Sequence, residues 1–156
     1  MDIRRAEKKD IDAIIGLLGQ VLEIHAAIRP DIFVSGTTKY SAEELEEMIK
    51  NEEKPIYVAA DENGKVIGYA FCQLKERPVR EYFVPGKEMY IDDLCVDEKE
   101  RGRSVGTKLF GHVKREAARL GCGAITLNVW RGNDSAEAFY EKLGMTTRAR
   151  SMEFKL

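Results

Sequence analysis

The chain of 156 residues carries 25 basic and 27 acidic side chains, a formal net charge of −2, and is 44% hydrophobic. That balance excludes disorder, suits one globular domain over residues 1–156, and leaves no basic face for nucleic acid. The 3 cysteines, Cys72, Cys95 and Cys122, form no CxxC pair and lie in apolar runs, so buried free thiols in a reducing, cytoplasmic compartment are expected.

In chain order, Ile3 to Arg5 reads as a short first strand. From Asp10, a candidate N-cap, the residues Ile11, Ile14, Ile15, Leu18 and Leu22 recur at helical spacing. The pattern decays into a loop from His25 to Pro30. No signal-peptide succession opens the chain. The uncharged stretch Ala13 to Leu22 is too short to span a bilayer, so no membrane partner is expected. Ser41 and Glu44 form a capping box for a second, acidic helix. Its glutamates read as a solvated face or as a wall attractive to a cationic substrate.

Pro55 to Ala60 and Lys65 to Leu74 read as strands joined by Asp-Glu-Asn-Gly, a hairpin signal. Both alternating sets of the second are apolar, which implies a central strand covered on both faces. Met89 to Val96 is a further strand, and alternation places its Asp92 and Asp93 on opposite faces. A third helix begins near Ser104 with an apolar stripe of Val105, Leu109, Val113, Ala117 and Leu120, and ends at Gly121. Ala124 to Val129 is a strand, Asp134 to Leu143 a short helix, and Met145 to Lys155 a closing strand. The expectation is one α/β domain with about four helices.

The stretch Arg101-Gly102-Arg103-Ser104-Val105-Gly106 joins a strand to a helix, a layout that holds phosphate on exposed amides at a helix N-terminus. It fits neither GxxxxGK[ST] nor GxGxxG. It resembles the pyrophosphate loop of the GNAT superfamily, the acyl-CoA-dependent N-acetyltransferases, whose form Arg/Gln-x-x-Gly-x-Gly/Ala reads here as Arg101-x-x-Ser104-x-Gly106. Asn133 to Gly144 resembles a second pattern of that superfamily, Asn-x-x-Ala-x-x-Phe-Tyr-x-x-x-Gly. The order of elements agrees along nearly the whole chain.

The resemblance implies an α+β GNAT fold, with a mixed, mostly antiparallel sheet of six to seven strands splayed between the fourth and fifth. It implies acetyl-CoA as co-substrate, no metal, a small-molecule amine as acceptor, and a homodimer. Phosphates would rest on amides from Arg101 through Gly102, Arg103, Ser104, Val105 and Gly106 to Thr107. Arg101 and Arg103 would supply charge, although Arg103 reads equally as a solvated side chain. Ser104 departs from the usual glycine but suits a helix start. The backbones of Leu94 and Val96 would grip the pantetheine arm, and Asn133 and Ala136 would touch the cofactor.

In that scheme Tyr140 is the general acid toward the leaving thiolate and Asp92 the general base, acting through water. The plainer readings are a core tyrosine and a structural carboxylate pair that caps or binds a cation. The resemblance places the acceptor between His25–Phe33 and Arg77–Gly86, so His25, Tyr82, Phe83, Asp93 and Asn128 are substrate candidates. His25 otherwise reads as a packed loop histidine, and His112 as a residue of a polar helix face. The alternatives for function are an N-terminal or lysine acetyltransferase on protein, and a silent acyl-CoA-binding domain.

Overall fold

The structure is a computed structural model that describes residues 1–156. In chain order the elements are β1 (Asp2–Arg5), α1 (Ile11–Ile28), α2 (Ala42–Met48), β2 (Ile56–Ala60), β3 (Val66–Glu76), β4 (Lys87–Val96), α3 (Val105–Arg119), β5 (Ala124–Leu127) and α4 (Asp134–Lys142). Single 3-10 turns precede α1 and follow β4. The 5 strands lie in sequence order in one sheet. β1 to β4 are antiparallel neighbours, and β4 and β5 are parallel. A parallel pair needs a crossover, and α3 supplies it.

Each face of the sheet carries its own apolar cluster. On one, Ile11, Ile14, Leu17 and Leu18 of α1 and Leu45 of α2 pack against Val58, Tyr69, Phe71 and Cys95. On the other, Val105, Leu109, Phe110, Val113 and Ala117 of α3 pack against Tyr57, Ile67, Ala70, Cys72, Met89 and Ile91. β3 is therefore buried on both sides, as its two apolar sets require. A register shift opposite Ala59 and Ala60 exchanges the sets near its start, so Val66 joins Tyr69 and Phe71 while Ile67 joins Ala70 and Cys72.

Four local expectations need correction. α1 runs on to Ile28, so His25 is helical. With its preceding turn, this helix is long and apolar enough to cross a bilayer by length and composition. Here it is a core helix, with Ile14 and Leu18 wholly buried. Asp10 makes no side-chain cap to α1. Its buried carboxylate accepts 2.7 and 2.9 Å hydrogen bonds from the Arg4 guanidinium and a 2.8 Å bond from the Glu7 amide. Finally, the expected closing strand Met145–Lys155 is absent, so the sheet has 5 strands rather than six or seven. After Met145 the chain makes no backbone hydrogen bond and is held by side-chain ion pairs, Arg148 to Glu88 at 2.8 Å and Glu153 to Arg29 at 2.7 Å. The capping box at Ser41 and Glu44 forms as the sequence implies.

Candidate active site

The sheet opens at one point. β4 and β5 pair from Glu88↔Ala124 to Ile91↔Leu127 and no further, so from Asp92 onward β4 has a partner only on its β3 side. At the same point the β3–β4 register jumps from Phe71↔Asp93 to Cys72↔Ile91, which leaves Asp92 as an extra residue, a β-bulge.

The bulge shifts the phase of the strand. Met89 and Ile91 face α3; strict alternation would send Asp93 and Cys95 to the same side. Instead Cys95 lies in the α1 cluster, while Leu94 and Val96 pack toward α3. Asp92 and Asp93 consequently do not point to opposite faces. Both meet groups of the α1 side: Lys39 Nζ donates to Asp92 at 2.6 Å, and the Tyr69 hydroxyl donates to Asp93 at 3.0 Å. Tyr40, next to Lys39, stacks on Phe71 at 5.7 Å and anchors the loop that brings the lysine in.

The two carboxylates differ. Asp92 is partly exposed, at 37% of its side chain. Asp93 is sunk deeper, and burial pushes its carboxyl up to about 6, against the pull of Lys39 and the Tyr69 hydroxyl and with some help from the Asp92 charge. Burial, with Asp93 nearby, also raises Tyr69.

Beyond β4, the loop into α3 is rich in unused donors. The amides from Arg101 to Thr107 meet no backbone carbonyl; the next, Lys108, bonds Ser104 O at 3.0 Å. Any helix start leaves such groups, and here the loop extends the set over Arg101, Gly102 and Arg103. Gly102 and Ser104 have φ of 78° and 61°, so both sit in the left-handed region. Ser104 makes no side-chain cap and gains nothing from its place at the helix start, which explains why glycine is the easier residue there. Arg101 Nε donates to Val96 O at 3.3 Å, whereas Arg103 pairs with Glu100 and stays exposed.

α4 closes the far side of this cleft. A Cβ on Gly106 would stand 3.1 Å from the Phe139 ring, so the loop and α4 meet because that glycine is bare. Tyr140 packs beside Phe110 and Phe139 with ring centroids 6.4 and 5.1 Å away. Burial raises its hydroxyl pKa, with a contribution from the charge of Asp93. Asn133 caps α4 by accepting from the Ala136 amide at 3.3 Å.

Of the acceptor candidates, His25 lies on the α1 side, its ring 5.1 Å from Phe33, which meets Trp130 edge-on at 5.4 Å. Burial and the charge of Lys39 lower the His25 pKa. Asn128 donates to the Tyr90 hydroxyl at 3.2 Å, just past the last β4–β5 pair. Tyr82 and Phe83 pair with each other at 4.6 Å on the exposed hairpin loop beyond Glu76 and Lys87, and no hydrogen bond or ring contact joins them to Asp92 or Tyr140. His112 packs on Tyr57, outside the cleft. Lys39, Tyr69 and Trp130 are site residues that no motif marks, and Phe33, at the end of the expected acceptor segment, links His25 to Trp130.

With this geometry in hand, the comparisons are decisive. The acetyltransferase (GNAT) family matches residues 21–145. The chain belongs to that family. It is an acyltransferase with the GNAT fold. A mutant BH1408 protein from Bacillus halodurans has a crystal structure that superposes with a TM-score of 0.95 at 33% identity, covering 100% of this chain and 99% of that one. YwnH of Bacillus subtilis (strain 168), an acetyltransferase by name, is 27% identical over 92% of this chain and 83% of its own length. The peptidyl-lysine N-acetyltransferase YjaB of Escherichia coli (strain K12) is 31% identical over 69% of this chain, which spans 62% of that protein's length.

Proposed function

We propose that residues 1–156 act as one N-acetyltransferase domain that moves acetyl from acetyl-CoA to the primary amine of a small molecule. One observation carries this: the unused amides of Arg101–Thr107 follow the half of β4 that β5 leaves unpaired, with Asp92 the first residue of that half and Gly106 against both Val96 and the Phe139 ring beside Tyr140. The loop amides, with Arg101, hold the pyrophosphate. The backbones of Leu94 and Val96 line the arm of the cofactor, and Asn133 and Ala136 border it. Bound there, acetyl-CoA supplies an activated acyl group.

Asp92 takes the proton that an ammonium acceptor must lose, directly or through water. Tyr140 gives a proton to the leaving sulfur. Its raised pKa is compatible with that role, because buried thiols in this protein, Cys72 and Cys95, are themselves pushed up to about 12 by burial. A thiolate formed in the same dry surroundings is a comparably strong base. Metal has no part in the scheme.

A small acceptor is favoured by the loop over Asp92. Lys39, Tyr40 and Phe33 fold across the α1 side, and Ser35 and Gly36 tie the loop to Glu23 at 2.7 and 2.6 Å. His25 and Asp93 lie within electrostatic reach of Lys39, Asn128 sits just past the last β4–β5 pair, and Tyr82 and Phe83 would join them only by movement of their hairpin. The likeness to YjaB favours a second reading, acetylation of a protein lysine. We place the chain in the cytoplasm, consistent with its free cysteines.

The partner chemistry extends to a second copy. β5 has an unpaired outer edge, and residues 146–156 form an extended tail without backbone partners. Its Met152 and Phe154 are almost fully exposed. Each feature offers the backbone groups that the other lacks, so two copies exchanging tails satisfy both in a homodimer.

The test of function is release of free CoA from acetyl-CoA over a panel of polyamines, amino acids, aminoglycosides and lysine peptides. Turnover on small amines supports the reading, and turnover on peptides alone supports the second. Tight CoA binding with no turnover on any acceptor defeats both.

A further inference from the structure

One ion pair in the cleft sets a primary amine on a carboxylate. The Lys39 side chain, itself 40% exposed, reaches from its loop to place its amine 2.6 Å from Asp92 Oδ2. Lys8, Lys50 and Lys155 also make ion pairs, but with carboxylates on the outer surface at Glu46, Glu47 and Asp31. Lys39 alone directs a primary amine at the carboxylate assigned above as general base, on the first residue past the last β4–β5 pair. Asp93, on the adjoining residue, lies within electrostatic reach of both Lys39 and Tyr140. The amine, the base and the acid thus converge on one opening.

We propose that Lys39 occupies the acceptor position as an internal substrate and is acetylated by its own chain when acetyl-CoA is bound without an added amine. This rests on the acetyl-CoA reading above. Asp92 takes a proton from the Lys39 ammonium. The freed lone pair on Nζ forms a bond to the acetyl carbonyl carbon. The nitrogen sheds its second proton to solvent as the carbon–sulfur bond breaks, and the electron pair of that bond leaves on sulfur, which takes a proton from Tyr140. Asp92 and Tyr140 then exchange with solvent, so the balance is acetyl-lysine, free CoA and one released proton.

The event is slow and stoichiometric. Burial works against the charge on Lys39, but the hydrogen bond and charge of Asp92 outweigh it and keep the amine protonated for longer than a free acceptor would be. Each chain reacts once. Acetylation removes the positive charge and releases Asp92, so an exogenous cationic amine competes with Lys39 before the reaction and meets a free carboxylate after it.

The test incubates the full chain with acetyl-CoA alone, follows intact mass, and maps labelled lysines by peptide mass spectrometry. The expected result is one added acetyl group per chain on Lys39, at a rate at least tenfold above exposed Lys8 and Lys99 and independent of protein concentration. It should be matched by a burst of one CoA thiol. Lys39→Arg, which keeps the charge, abolishes the burst, and Asp92→Asn slows labelling at least tenfold. Labelling of Lys39 no faster than Lys8 and Lys99, or labelling that is second order in protein, overturns the inference. The amine panel run on the same preparation separates the two ideas: turnover with Lys39 unmodified overturns this inference alone, and neither turnover nor labelling overturns both.

Discussion

Gly106 faces the Phe139 ring so closely that a Cβ at 106 would stand 3.1 Å from it, tighter than ordinary van der Waals contact. The first residue belongs to the loop motif and the second to the α4 motif. Their contact gives a physical reason for the two motifs to occur together, since the bare helix start admits the ring that positions α4 and its Tyr140.

Gly106→Ala sets two effects against each other. Helix propensity favours alanine by about 1 kcal/mol, while overpacking costs about 1–3 kcal/mol. A net loss of about 1 kcal/mol is expected in denaturant titration, together with weaker CoA binding. Adding Phe139→Leu should restore stability in the double variant, and purely additive losses would show that the two sites are not coupled.

Ser104 holds a left-handed backbone that costs a non-glycine residue about 1–2 kcal/mol. Ser104→Gly relieves this but gives back about 0.5–1 kcal/mol through the freer unfolded chain. It should therefore be equal in stability or up to about 1.5 kcal/mol better, with activity retained. Ser104→Val should lose about 1–2 kcal/mol, because a β-branched residue tolerates this conformation least. Thermal melts and CoA titration of the two variants check both.

Most elements could be read directly from residue pattern: the α3 stripe, the Ser41 capping box and the hairpin before β3 all form where the sequence places them. The bulge at Asp92 could not, because apolar and polar residues there fit strict alternation just as well, and only the pairing of β3 reveals the extra residue. Lys39 and Trp130 carry no signal in the sequence for another reason. They lie in loops without periodicity, and tertiary folding alone brings them together. The tail's alternating residues promise a strand, but a strand needs a neighbour that this chain does not supply by itself.

The catalytic roles separate by kinetics. Tyr140→Phe should lower kcat by about 10²–10³-fold with CoA binding little changed, given the usual weight of a general acid. Asp92→Asn should flatten the alkaline rise of kcat/KM. An unchanged pH profile in either variant removes that residue from the chemistry.

Asp93 has a folded pKa of about 6, above the ~3.9 of an unfolded aspartate. The folded protein therefore binds more protons than the unfolded chain between about pH 4 and 6. The contribution of Asp93 to stability is fully present below that window and is lost as pH rises through it. The loss approaches 2 kcal/mol at most, after discounting for partial exposure (~1.36 kcal/mol per unit). Asp93→Asn should flatten stability against pH between about 4 and 6, measured by urea titration, and a wild-type slope in the variant would contradict the assignment.

Removing residues 146–156 should convert a dimer of 17.7 kDa chains to monomer in light scattering. A monomeric wild type at micromolar concentration would refute tail exchange.

The bulge at Asp92 has a further consequence for how this site can arise or vanish. Deleting that one residue would leave Ile91 and Asp93 opposite consecutive residues of β3, so Cys95 would stay on the α1 side and Leu94 and Val96 on the α3 side. Only the carboxylate that Lys39 holds would be lost, while Asp93 would keep its place opposite Phe71. Insertion of one residue at this point thus adds a carboxylate to the cleft without turning any apolar side chain of the strand, a route by which such a site can be gained or lost in a single step.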